Sequence, residues 1–343
     1  MWQQKPEAVP DFANLKLQYV RDIPFHLPDS IKIGRIGQMA ATQNPKLWAF
    51  EDQTRQNIIV TDNNGNYISR IGSYGSGPKE FTRIRGIAIN EHEEMVVFDG
   101  SQLLFKVFDL SNSGLINTFA GLDETGYSQV SEHIVFSEDI IYMPVLDLNK
   151  YPARTWESTL MVSFTKDGEF IREFGRFSSA LKDAKHFSHT PVIHYNKSGQ
   201  SFYVGHLPIY VIQELSEKSG EVLNGFGELS KNFLIPSADI HPALPYNEIQ
   251  EAVRSQSFVR NITSVEDFVL VHFFNPTERF HQTRDWNEMK HFVSVYDAKN
   301  HNLLAELSLP YQVIGFTENG ILLIKDDNPD SYTLAEYKII EDE

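Results

Sequence analysis

Apolar positions along this chain come in short strand-like runs separated by polar turns, and the runs come in pairs. The recurring unit is a β-rich run, a turn of Gly or Asn/Asp, and a second β-rich run that often ends in Gly. Copies lie at Ile58–Gly72, Val107–Phe119, Val162–Gly175 and Val211–Gly227, with a looser one at Val293–Leu307. The turn glycines Gly65, Gly114, Gly168 and Gly220 are 49, 54 and 52 residues apart. Each is expected to supply the positive φ of a tight hairpin.

A second strand pair precedes each hairpin. These pairs are Gly86–Asn90 with Met95–Phe98, Ile134–Phe136 with Ile140–Met143, Val192–Tyr195 with Ser201–Val204, Ile262–Thr263 with Phe268–Val271, and Val313–Phe316 with Ile321–Ile324. Four strands per unit at this period predict propeller blades. Counting the less regular unit Ile31–Gly72, the chain holds six, so an all-β six-bladed β-propeller is expected to occupy residues 1–343 as one domain. The sixth unit ends at Ile340 with three strands, while a spare strand, Leu15–Phe25, stands at the other end. Pairing that strand as the outer strand of the last blade closes the ring, and Pro24 is tolerated there. Residues 1–14 then read as a linker. A pair of β-sandwiches or a solenoid is the competing fold, and a solenoid would not need the N-terminal strand.

Composition narrows the function more than the fold. Thirty basic against 46 acidic residues give a formal charge of −16, which opposes nucleic-acid binding in the absence of a basic patch. No run is long and apolar enough for a transmembrane segment, and the first residues lack the apolar region of a signal peptide. The polar stretch Trp2–Pro10 reads either as the remnant after a signal or lipid anchor or as an ordinary terminus. With no Cys, thiolate metal sites and a Cys nucleophile are excluded. Serine-hydrolase, P-loop and dinucleotide motifs are also missing from the sequence.

The stretch Ile71–Phe81, with Gly77-Pro78-Lys79-Glu80-Phe81 at its end, then Ile84–Ile89 and Val96–Asp99, resembles a blade junction of NHL-type six-bladed propellers. The resemblance is sharp over Ile58–Phe119, and it is nearest to secreted or lipid-anchored bacterial propellers of no agreed reaction. It implies an extracytoplasmic location, whether periplasmic, cell-surface or secreted, and a turn-capping role for Asp99.

In a propeller, blade-to-blade connections share one face with the loops between each blade's second and third strands. The long connections here are of those two kinds: 120–133, 176–191 and 228–258 between blades, 146–158 and 275–290 within them. Binding is therefore expected on that face. A short helix, Pro245–Arg254, is predicted in the connection between blades 4 and 5.

Candidate ligand-binding residues at the rim are Arg83, Arg85, Asp99 and Arg260, with Trp156 and Trp286 among the loop aromatics. Arg85 and Arg260 precede inner strands of different blades, so both can reach the axis and receive a carboxylate or sulfate, or else pair with neighbouring acids. His189, His206 and His272 are candidate ligands for a single divalent metal ion, with ordinary hydrogen-bonded histidines as the alternative.

Two functional readings follow. One is a non-catalytic propeller binding a glycan, peptide or protein partner. The other is a metal-assisted hydrolase or lyase similar to the gluconolactonase-type propellers, with Asp99, Glu51 and Asn275 near an axial ion.

Overall fold

The computed structural model describes residues 15–42, 47–122, 126–129, 131–149, 157–183, 190–207, 209–227, 230–235, 245, 247–249, 251, 255–283, 288–317 and 320–342. Its strands form six antiparallel sheets in chain order, within residues 36–71, 84–120, 127–176, 191–226, 258–309 and 312–341, here called blades 1 to 6. The innermost strands are Ile36–Ala41, Ile84–Ile89, Val135–Ser137, Pro191–Asn196, Phe258–Val265 and Gln312–Thr317. Each touches the next, and the last touches the first, so the blades close a ring around an axial channel.

The closing strand is N-terminal. Leu15–Pro24 pairs antiparallel with Thr333–Glu341, from Leu15 opposite Glu341 to Pro24 opposite Thr333, and completes blade 6 as its outer strand. Arg21 fastens it: its Nε donates to Glu336 at 2.8 Å, while its guanidinium reaches Asn64 Oδ1 at 2.8 Å and the Asn63 carbonyl at 2.9 Å in blade 1.

The core is split into six wedges, one between each pair of neighbouring blades. This explains why middle strands read as unbroken apolar runs. Along Glu94–Asp99, Met95 and Val97 pack toward blade 1, while Val96 and Phe98 pack toward blade 3. Side chains alternate between the faces of a strand, so burying both faces requires apolar residues at every position.

The predicted hairpins form, with one correction in blade 2. Gly65, Gly168 and Gly220 have positive φ, but there the left-handed residue is Ser113 (φ 56°), and Gly114 begins the next strand. The Asn112 side chain accepts from Gly114 N at 2.7 Å and steadies that tight turn.

Among the described residues three elements were not expected: a strand Tyr127–Gln129 pairing with residues 145–147 of the second strand of blade 3, a 3-10 turn Ser179–Asp183, and a helix Glu278–Thr283 within blade 5. Of the predicted helix Pro245–Arg254, residues 247–249 and 251 are helical and the others, Pro245 apart, lie outside the described residues. Among the described residues no helix is long and apolar enough to cross a membrane.

Candidate axial binding site

Four inner strands carry a register irregularity near their first residues, at the face where blades join. In blade 2, Ile84 opposes Asp99 and Gly86 opposes Phe98, leaving Arg85 as the extra residue. In blade 5, Val259 opposes Phe273 and Asn261 opposes His272, leaving Arg260. Gly37 and Gln38 occupy the corresponding place in blade 1, and Ile314 in blade 6. A bulge bends its strand and re-aims the side chain it carries. Blades 2 and 5 are three steps apart in a ring of six, so their bulged arginines come from opposite sides of the axis.

Both arginines line one cavity of about 300 Å³ at the channel mouth, together with Gln129, Ser131, Glu132, His133, Thr190 and Leu207. A second cavity of about 310 Å³ adjoins it, lined by the inner strands of all six blades and sharing Glu132, His133 and Arg260. The sequence reading missed Glu132 and His133. They stand just before the inner strand Val135–Ser137, as Arg85 and Arg260 stand at the beginnings of theirs, and that shared placement was the available signal.

Charge in the mouth is unevenly paired. Arg260 forms an ion pair with Glu132. Arg85 is exposed, and among the described residues its guanidinium has no ion-pair partner. His133 is held neutral: burial, and after it the Arg260 charge, push its pKa down to about 4 against the opposing pull of Glu132. Among the described residues the mouth thus carries one surplus positive charge, in a chain whose formal charge is −16.

Beside the mouth lies Glu51, only 2% exposed, with Oε2 buried and outside good hydrogen-bonding geometry. Burial first, then the Glu132 charge, raise its pKa to about 7, although the Gln53 and Gln38 amides pull the other way. His272 lines the axial cavity and is 1% exposed, with Nε2 lying 3.1 Å from His291 Nδ1. Burial, His291 and Arg260 drive its pKa well below the ordinary imidazole value, so the ring is neutral.

The other candidates sit elsewhere. Arg83 is exposed and lines neither cavity. Asp99 is fully buried, and its carboxylate accepts from the backbone N–H groups of Thr82, Arg83, Ser101 and Gln102. Asp52 does the same in blade 1, taking Gly34, Arg35, Thr54 and Arg55. His206 is buried with its ring stacked on Phe177 at 5.5 Å and lines neither cavity. His189, Trp156 and Trp286 lie outside the described residues. Among the described residues no three His, Cys, Asp or Glu side chains are grouped to hold a metal ion.

The donors considered for an axial lactonase-type ion do not fit one together. Asp99 is saturated by its own loop, and Asn275 accepts from the Ser257 hydroxyl and donates to the Asn232 carbonyl at 2.8 Å. That leaves Glu51 alone beside the axis.

Comparison with known proteins places the architecture and stops there. A family described as "6-bladed beta-propeller" (DUF5128) matches residues 11–120. No curated protein matches. A member of the DUF4221 family from Bacteroides vulgatus superposes with a TM-score of 0.71 at 11% identity, over 97% of this chain and 100% of that one. A Bacteroides fragilis protein described as exported gives 0.61 at 12% identity, over 98% of each chain. A gluconolactonase from Xanthomonas campestris gives 0.51 at 10% identity, over 93% of this chain and 96% of that one. At such identities the likeness is one of fold, and a propeller hosts many functions.

Proposed function

We propose that this chain is a non-catalytic binding propeller acting outside the cytoplasm, and that it recognises an acidic group of a glycan, peptide or protein partner at its axial mouth. The observation that carries this reading is the convergence of Arg85 and Arg260, bulged from opposite blades, on one cavity of about 300 Å³. Guanidinium groups present planar pairs of donors that match a carboxylate or sulfate. Arg85 is the primary anchor because no acid among the described residues neutralises it. Arg260 is held in place by Glu132 and shapes the opposite wall. Gln129, Ser131 and Thr190 add neutral polar groups suited to hydroxyls or amides. The extracytoplasmic location rests on the NHL-like junction at residues 71–81 and on the fold shared with a protein described as exported.

Glycan and peptide arrays containing matched acidic and neutral members test the reading. The acidic members should be retained by the unaltered protein, and Arg85→Met should weaken them about tenfold to a hundredfold, the worth of a charged hydrogen bond. Equal retention of neutral members, or indifference to Arg85→Met in the folded protein, would refute it.

A further inference from the structure

Resting on the reading that the mouth receives an acid, we propose that the acid belongs to a sugar: the terminal hexuronic acid of a glycan, with its carboxylate on Arg85 and its ring hydroxyls against the polar wall of the mouth and channel.

Charge sets the first requirement. Among the described residues, Arg85, Arg260 and Glu132 are the charged groups of the mouth, and the last two form an ion pair. One carboxylate therefore brings the site to neutrality. A zwitterion such as an amino acid restores the surplus positive charge, and its ammonium meets no acid that Arg260 has not already neutralised.

The neutral wall sets the second. Gln129 is half-buried and spends both amide hydrogens, one on the Ser131 carbonyl at 2.7 Å and one on the Arg85 carbonyl at 3.3 Å, which leaves its own carbonyl oxygen to face a ligand. Glu132 engages Arg260 through one carboxylate oxygen, and its side chain remains 27% exposed. Both groups are acceptors, so the part of the ligand beside its carboxylate must donate. Hydroxyl groups do so without adding charge.

The channel sets the third. Each innermost strand pairs along one edge only, so alternate N–H and C=O groups of its other edge face the axis. The exposed lining of the cavity of about 310 Å³ is accordingly mainly polar. A group entering it must both donate and accept, as a hydroxyl does, whereas an alkyl or aryl ring strips water from those groups and returns no hydrogen bond. The mouth cavity, at about 300 Å³, stands at the small end of ligand pockets and suits a single monosaccharide ring. Arg85 is exposed, so the remainder of a glycan stays outside and the chain is held by its terminal residue.

Three kinds of probe separate these requirements: methyl glucuronide and methyl galacturonide, the neutral methyl glucoside and galactoside, and cyclohexanecarboxylate, which keeps the carboxylate and the six-membered ring without hydroxyls. By calorimetry on the unaltered protein, the better-bound uronide should exceed cyclohexanecarboxylate about 5- to 150-fold, the worth of two neutral hydrogen bonds, and its neutral counterpart about tenfold to a hundredfold. Arg85→Met should weaken the uronide and cyclohexanecarboxylate alike and leave the neutral glycosides unchanged. Cyclohexanecarboxylate binding as tightly as either uronide, with both weakened by Arg85→Met, overturns the sugar acid while leaving the arginine mouth standing. Retention of acidic peptides but not of uronic-acid glycans on the arrays, sensitive to Arg85→Met, does the same. No binding of any probe, with Arg85→Met also without effect on array retention, overturns both.

Discussion

Replacing Glu51 with Gln removes one ionisable proton from the channel mouth while conserving shape, and its effect on stability should grow with pH. Glu51 is 2% exposed, and its folded pKa is raised to about 7 from an ordinary 4.5, by burial and then by Glu132. Below about pH 4.5 both the folded and unfolded chains hold the proton, and the carboxyl has no pH-dependent effect. Between 4.5 and 7 the unfolded chain has ionised while the folded one has not, so stability falls as pH rises. Above 7 the full penalty is present. A gap of about 2.5 units corresponds to about 3 kcal/mol. Glu51→Gln should therefore match the unaltered protein near pH 4.5 and exceed it by up to about 3 kcal/mol at pH 8. Denaturant unfolding followed by the fluorescence of Trp48, which is buried in the same blade, measures the difference at each pH, with equal slopes required for the comparison. A difference that does not change with pH, or a less stable variant at pH 8, would mean that Glu51 is ionised and well paired in the folded chain.

The remaining predictions test other parts of the account. His194, whose Nε2 lies 2.9 Å from Ser264 Oγ, is pushed down to about pKa 4 by burial, so its contribution is present above pH 6.5 and is lost as pH falls toward 4. Glu51 and His194 thus slope in opposite directions between pH 4.5 and 6.5. His194→Gln should make the melting temperature fall more steeply with rising pH there, and Glu51→Gln should do the reverse. Asp99→Ala should cost about 1–3 kcal/mol by stranding the N–H groups it caps, with acid binding by the folded protein unchanged; loss of binding at full stability would instead place Asp99 in the site. Deleting residues 1–25 removes the strand that closes blade 6 and should abolish cooperative unfolding and expose the chain to limited proteolysis, whereas near-normal melting would show that the ring does not depend on that strand.

Much of the architecture was legible because it is local. Hairpin turns recur at a fixed period, and runs such as Met95–Phe98 announce strands buried on both faces. The missing outer strand of the sixth unit could be matched to the spare strand at residues 15–25 by counting alone. The site was less legible because it depends on cross-strand register. Arg85 and Arg260 could be placed before inner strands, but their convergence follows from bulges, and a bulge exists only relative to a partner strand. Glu51 was noticed as a strand-end acid. Its protonation depends on Glu132, which approaches from another blade and is far away in sequence. The His272–His291 contact lies between paired strands of one blade, where Val271 opposes Ser294 and His272 opposes Val293, so an alignment of the two strands could have suggested it. The grouping of His206 with His272 went the other way: both follow apolar runs in the sequence, but His206 ends its strand under the ring of Phe177 while His272 stands within its own.

The central claim, that the two bulged arginines form an acid-binding mouth on the axis, is met most directly by a crystal structure of the protein soaked in methyl glucuronide. The account predicts the carboxylate within hydrogen-bonding distance of Arg85, in the cavity shared with Arg260. Density for the acid elsewhere, with the mouth empty at a concentration that saturates binding in solution, would contradict it.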